Sequence, residues 1–186
     1  AVGLSATVAD PNELAAWLVA QAPGEPRREA AIVTAPPGAR PEIRILEPSD
    51  PESWRIPWAG HLAVHAMPAV LAAIATAKTA IVFVNTRAQA ELVFQELWRI
   101  NETNLRIALH HGSLDVAQRR RVEAAMAAGG GPGGLDAVVA TSTLDLGIDW
   151  GDVDLVIHVG APKGASRLAQ RIGRANHRLD EPSRAL

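Results

Sequence analysis

The sequence predicts an α/β domain of the doubly wound type, a mainly parallel sheet with helices on both faces. Three observations carry this. The runs at 80–84, 105–109, 137–141 and 155–159 are near-continuously apolar, as strands buried on both faces are. Helix-like stretches separate them, the alternation that builds parallel sheets. Polar clusters then follow three of the runs, at the C-terminal edge where open α/β sheets bind ligands.

Taken in order, 12–20 has helical spacing, and the β-branched runs 31–34 and 43–46 read as strands. Residues 23–57 are rich in proline and form a connecting region holding one or two strands. A helix is expected over 62–77, then the strand 80–84. Thr86 followed by Gln89 is a capping box opening a helix over 88–101. The strand 105–109, a helix over 116–127, a flexible glycine-rich surface loop at 129–134 and the strands 137–141 and 155–159 complete the series.

Composition limits the function. The 186 residues are 48% hydrophobic with a formal net charge of −2, so the chain has ample core and is no generic basic coat for nucleic acid. It has no cysteine, which excludes disulfides and thiolate metal sites and fits a reducing cytosol. No apolar run is of membrane-spanning length, and no signal-peptide pattern opens the chain. It begins at Ala1 and stops just after a motif-rich segment, so it is read as a piece of something longer.

Basic residues cluster in Arg119-Arg120-Arg121 and again from Lys163 to Arg178, where there are five Lys/Arg and no Asp or Glu. Arg167, Arg171, Arg174 and Arg178 recur at spacings of four, three and four, which on one helix stacks four guanidinium groups on one face. Such a face needs an anion opposite it, and arginine forks match phosphate oxygens. A solvated charged face is the competing reading. Gly173 within the stripe points to close backbone approach or a bend.

Together these residues resemble superfamily 2 helicases. Asn85-Thr86-Arg87, then 141–149, then Gln170 to Arg178 look like motifs IV, V and VI, and Leu4-Ser5-Ala6-Thr7 looks like motif III. The wording of 110–114, 146–150 and 174–178 is most similar to the Lhr-type, ligase-associated DExH-box DNA helicases. The resemblance implies a RecA-like fold and ATP hydrolysis, with Mg²⁺, in a cleft between two lobes. It makes Arg174 and Arg178 candidate arginine fingers, with Arg171 and Gln170 organising the same catalytic site. Asp149 would contact the nucleotide ribose, with Gly147 and Gly173 in the same nucleotide site. Thr141, Ser142 and Thr143 would bind nucleic-acid phosphates, with Asn85, Thr86, Arg87, His111, Gly112 and Ser113 lining the same surface. Ser5 and Thr7 would couple hydrolysis to strand separation. The commonest motif VI has a second glycine and then arginine; this chain has Asn176-His177-Arg178, displacing the last arginine by one position.

Neither G-x-x-x-x-G-K-S/T nor D-E-x-H is found, so the chain carries the arginine half of an ATPase and not the half that holds Mg²⁺-ATP. Alone, it should not turn over ATP. No metal site is expected. His61 and His65 stand four apart without a third ligand, and Asp145, Asp149, Asp152 and Asp154 read as solvated or capping carboxylates. The five tryptophans read as core or lobe-interface anchors, although Trp54 and Trp58 have the alternative of stacking on bases.

The expectation is a remnant of a first RecA-like lobe over 1–48 and a second lobe over 49–186. The latter would be a motor lobe of an ATP-dependent DNA helicase or translocase of DNA repair, cytoplasmic and nucleoid-associated in a bacterium. Implied partners are single-stranded or partly duplex DNA, the first lobe of the same polypeptide, and a DNA ligase or nuclease; a membrane is not among them. An RNA helicase lobe and a non-enzymatic nucleic-acid-binding or interaction domain are the rivals.

Overall fold

The computed structural model describes residues 2–4, 8, 10–34, 39–46, 63–145, 153–176 and 181–186. The chain divides into two compact units, Ala1–Gly38 and Ala39–Leu186.

In the first unit, helix α1 (Pro11–Trp17) is capped by Asp10, whose Oδ1 accepts from the N–H groups of Asn12 and Glu13, with proline at the first helical turn. The Gln21 amide closes the following loop. It donates to the carbonyls of Ala16 and Arg28 at 2.7 and 2.8 Å and accepts from the Arg28 N–H at 3.1 Å. The run 31–34, expected as a strand, has no regular secondary structure and pairs with no strand among the described residues. A strand exists only through its ladder partner, and the described residues of this unit supply none.

The second unit is built on a six-stranded sheet in the order β1-β6-β5-β2-β4-β3, parallel at every junction. The strands are β1 (Glu42–Ile43), β2 (Ala80–Phe83), β3 (Ile107–His110), β4 (Ala137–Ala140), β5 (Leu155–His158) and β6 (Arg184–Ala185). Every residue of β2 and β4 is buried, which is what their unbroken apolar runs require. Alternate side chains of β2 enter two cores. Val82 packs with Met67, Val70 and Ile74 of α2 (Met67–Ala75) and with Ala90, Val93 and Leu97 of α3 (Arg87–Ile100). Ile81 and Phe83 pack on the opposite face with Met126 and Val122 of α4 (Val116–Ala127). Among the described residues, buried apolar clusters lie on both faces, so the sheet is covered on both sides as predicted.

Several boundaries differ from the sequence reading. Residues 42–43, read as part of a strand over 43–46 in the connecting region, pair with β6 in the second compact unit. β6 lies in a polar tail without strand character and owes its conformation to pairing with β1 and β5. β3 starts two residues later and ends one residue later than expected, which brings His110 into the sheet. The helix expected over 62–77 begins as a 3₁₀ turn at 64–66 and continues as α2 from Met67, with Pro68 in its first turn.

The arginine segment departs most. Helix α5 (Ala165–Ile172) stops with Gly173 as its C-cap, and Asn176 takes a left-handed conformation at φ +47°. The Asn176 N–H is captured by the Val153 carbonyl at 2.8 Å and its side chain by Pro182 at 2.9 Å. Four arginines on one helical face are therefore not formed: Arg167 and Arg171 lie on α5, Arg174 follows it, and Arg178 is outside the described residues.

The glycine loop at 129–134 is fastened. Arg106 donates to the carbonyls of Gly131 and Gly130 while holding Asp136 at 2.8 Å, and keeps that carboxyl below its ordinary range. Trp17 and Trp98 are exposed rather than core residues; Trp54, Trp58 and Trp150 are outside the described residues. No helix among the described residues is long and apolar enough to cross a membrane.

Candidate functional site at the C-terminal edge of the sheet

Because the strands are parallel, the segments leaving β2, β3, β4 and β5 gather along one edge. Asn85 to Arg87 follow β2. Thr86 caps α3, accepting from the Gln89 N–H at 3.2 Å, while Gln89 Oε1 reaches back to the Asn85 N–H at 3.2 Å. This is the capping box that the spacing predicts, shifted by one residue at its return bond. The Asn85 side chain donates to the Ala161 carbonyl at 2.9 Å and so ties the β2 and β5 loops together. Gly160 makes room for it: its φ is +86°, and a Cβ there would lie 3.3 Å from Asn85 Nδ2.

Arg87 Nη1 donates to Ser113 Oγ, joining the exposed side chains of two clusters 26 residues apart in sequence. His111 is buried. Its Nδ1 accepts from the Ser113 N–H at 3.3 Å, and its Nε2 lies 3.4 Å from Glu91 Oε1, a charge-range contact outside hydrogen-bond geometry. Gly112 is exposed beside Thr143, with room for a Cβ. After β4, a 3₁₀ turn over 142–144 presents Ser142 to solvent, buries Thr141 and half-buries Thr143.

His110, a residue without an assigned role in the sequence reading, turns out to organise this edge. Its Nδ1 is 2.8 Å from Thr143 Oγ1 and its Nε2 is 3.0 Å from Glu123 Oε1. No signal in the sequence singles out Glu123. It is one carboxylate on a polar helix, and only the packing of α4 beside β3 brings it to the imidazole.

The 3₁₀ turn leads into Asp145, whose buried carboxylate accepts from Arg171 Nε at 2.8 Å and contacts Arg167 Nε at 3.2 Å. Arg171 is 1% exposed, its guanidinium 4.6 Å above the Phe83 ring, with Nη1 lacking a hydrogen-bond partner among the described residues. Asp145 is thus a buried ion-pair partner and not the solvated or capping carboxylate expected. It is also the anion that the first two arginines of the stripe face. His158, the register partner of Phe83 on β5, stacks with its ring at 5.9 Å between centroids. Burial, reinforced by the Arg171 charge, pushes its imidazole down to about 4 against an opposing pull from Asp145.

Arg174 follows the C-cap, half-buried, with Nε 3.4 Å from the Gln170 carbonyl. Gly173 makes the bend its sequence position suggests; a Cβ there would come within 3.3 Å of the Ala169 carbonyl. Ser5, Thr7, Gly147, Asp149 and Arg178, with His177, lie outside the described residues, as do His61 and Asp152. The described edge therefore unites hydroxyl, amide and guanidinium donors, a surface fitted to bind oxyanions. Arg171 supports it from beneath.

Residues 64–178 match the helicase conserved C-terminal domain. Over its full length the chain is 31% identical to the ATP-dependent helicase Lhr-Core of Methanocaldococcus jannaschii, covering 20% of that protein. It is 30% identical to the Lhr helicase/probable uracil glycosylase of Mycolicibacterium smegmatis, covering all of this chain and 14% of that one. Its fold matches the structure of Mycobacterium smegmatis helicase Lhr bound to ssDNA and AMP-PNP at TM-score 0.79 and 36% identity, over 98% of this chain and 23% of that chain. A match to the C-terminal domain of the DEAD-box protein Dbp5, at TM-score 0.55 and 17% identity over 80% of this chain and 76% of that one, concerns the fold alone. The chain thus spans about a fifth or less of the length of these curated relatives.

Proposed function

The chain belongs to the helicase conserved C-terminal domain family, as the second RecA-like lobe of an Lhr-type superfamily 2 helicase, and from that premise we propose how it works. It supplies Arg174, with Arg178, to the phosphates of ATP held between this lobe and a first lobe that contributes the Mg²⁺ site. The edge formed by Asn85, Thr86, Arg87, His111, Gly112, Ser113 and 141–143 grips the backbone of single-stranded DNA. Gly147 and Asp149 serve the nucleotide, and Gln170 and Gly173 shape the arginine turn. Residues 1–48 come from the first lobe and its connection, with Ser5 and Thr7 as coupling residues. By itself the chain is inactive; within the longer polypeptide it is half of a DNA-translocating motor of DNA repair.

The observation that carries this is the division of labour in the arginine segment. Arg171 is consumed by Asp145 inside the fold, while the backbone turns at Gly173 and delivers Arg174 beyond the helix. A guanidinium so placed stabilises charge on a transferring phosphoryl group without proton exchange. The relative bound to ssDNA and AMP-PNP supports both ligands for this architecture.

The test is Arg174→Ala in the full-length polypeptide, followed by single-turnover ATP hydrolysis with a saturating single strand. An arginine finger contributes about 10³–10⁵ in rate. We expect a loss of about a thousandfold with ATP and strand binding retained. Near-normal hydrolysis overturns the assignment and moves Arg174 to the nucleic-acid surface.

A further inference from the structure

β3 is an edge strand, yet its final side chain, His110, is only 2% exposed and holds two partners. Their chemistry sets the direction of each hydrogen bond. The Glu123 carboxylate accepts, so in the neutral ring the imidazole hydrogen is assigned to Nε2 and donated to it. A ring with that one hydrogen presents Nδ1 as an acceptor, and the hydroxyl of Thr143, 2.8 Å away, donates to it. The second acceptor near that hydroxyl, at 3.4 Å, is the carbonyl of His110 itself. The single hydroxyl hydrogen of Thr143 is therefore turned into the protein by either route. Ser142, one residue earlier in the same 3₁₀ turn, has its side chain exposed.

We infer that His110 is a positioning residue for the strand-binding turn. Anchored by Glu123, it locks Thr143 inward, so that Ser142 rather than Thr143 is the hydroxyl donor to a nucleic-acid phosphate. The inference rests on the nucleic-acid reading of this edge and sharpens it, since Thr143 moves from phosphate ligand to structural support. The same relay joins α4 to the turn that ends at Asp145, whose N–H donates to the Ser142 carbonyl at 3.1 Å. The turn is thereby fixed at one end by His110 and at the other by Arg171.

The experiment uses the full-length polypeptide and a fluorescent single-stranded oligodeoxynucleotide. It measures the strand Kd and divides strand-stimulated ATP hydrolysis into kcat and strand KM. Ser142→Ala should weaken strand binding by about tenfold, the scale of one hydrogen bond to a charged group. His110→Phe and Thr143→Val should each raise strand KM and spare kcat. The double variant should be no worse than the worse single, because both remove one relay. Glu123→Gln keeps an acceptor for Nε2–H and should lose less than Glu123→Leu. Additive effects of His110→Phe and Thr143→Val overturn the relay alone, as does a Thr143→Val defect that His110→Phe does not share. Unchanged strand binding in Ser142→Ala and His110→Phe together overturns the nucleic-acid reading of the edge, and the relay with it.

Discussion

Arg171 donates its Nε to Asp145 at 2.8 Å with both side chains buried, 26 residues apart in sequence. The pair joins the turn after β4 to helix α5, and Arg167 adds a half-exposed second contact to the same carboxylate. Phe83, the last residue of β2, floors it. A buried ion pair gives little net stability over an apolar replacement, but removing one partner strands the other.

Arg171→Met should accordingly lower the stability of this chain by about 3 kcal/mol, read from urea unfolding midpoints. Arg167, still able to contact Asp145, keeps the loss at the lower end of the range for broken buried pairs. Unchanged stability would mean that Arg171 is held for a ligand and not for the fold.

Arg87 is exposed and bonded to Ser113 between the segments that follow β2 and β3 at the C-terminal edge of the sheet. Replacing it with alanine in the full-length polypeptide should weaken single-strand binding and make the plot of log K against log salt shallower by about one phosphate contact. An unaltered salt slope would remove Arg87 from the phosphate-binding surface and leave it as a loop tie.

His158 gives a pH signature. Its imidazole titrates at about 4 in the folded chain against 6.5 as a free side chain. Between those values the unfolded state binds more protons, so stability rises with pH across this window; the contribution is complete above 6.5 and is lost as pH falls toward 4. His158→Phe, which keeps the stack on Phe83, should flatten this dependence. Urea midpoints at pH 7 and pH 5 for both proteins test it, and parallel losses in the two would rule out His158 as the group responsible.

Much of the architecture was legible because it depends on local chemistry. The apolar runs of β2 and β4 could be satisfied only by burial on both faces, and the Thr86–Gln89 spacing specifies a helix start wherever the chain goes. Family order in the motifs added the clusters at the sheet edge. β6 was invisible for the opposite reason: Arg184 and Ala185 have no strand character and become a strand through their neighbours.

What the sequence by itself determined was the α/β class, the parallel order of polar clusters, and the residue types available to meet phosphate. What only the tertiary structure decided was how those residues are engaged within the fold. Equal spacing made four arginines look alike, yet α5 ends at Gly173, and Asp145 takes the Arg171 charge into the core. Likewise Thr143 and Ser142 are adjacent hydroxyls, and His110 claims one of them. Spacing along a chain sets which side chains share a local face. Burial and hydrogen-bond capacity are settled by elements distant in sequence, and those determine whether a donor is spent within the fold or offered to a ligand.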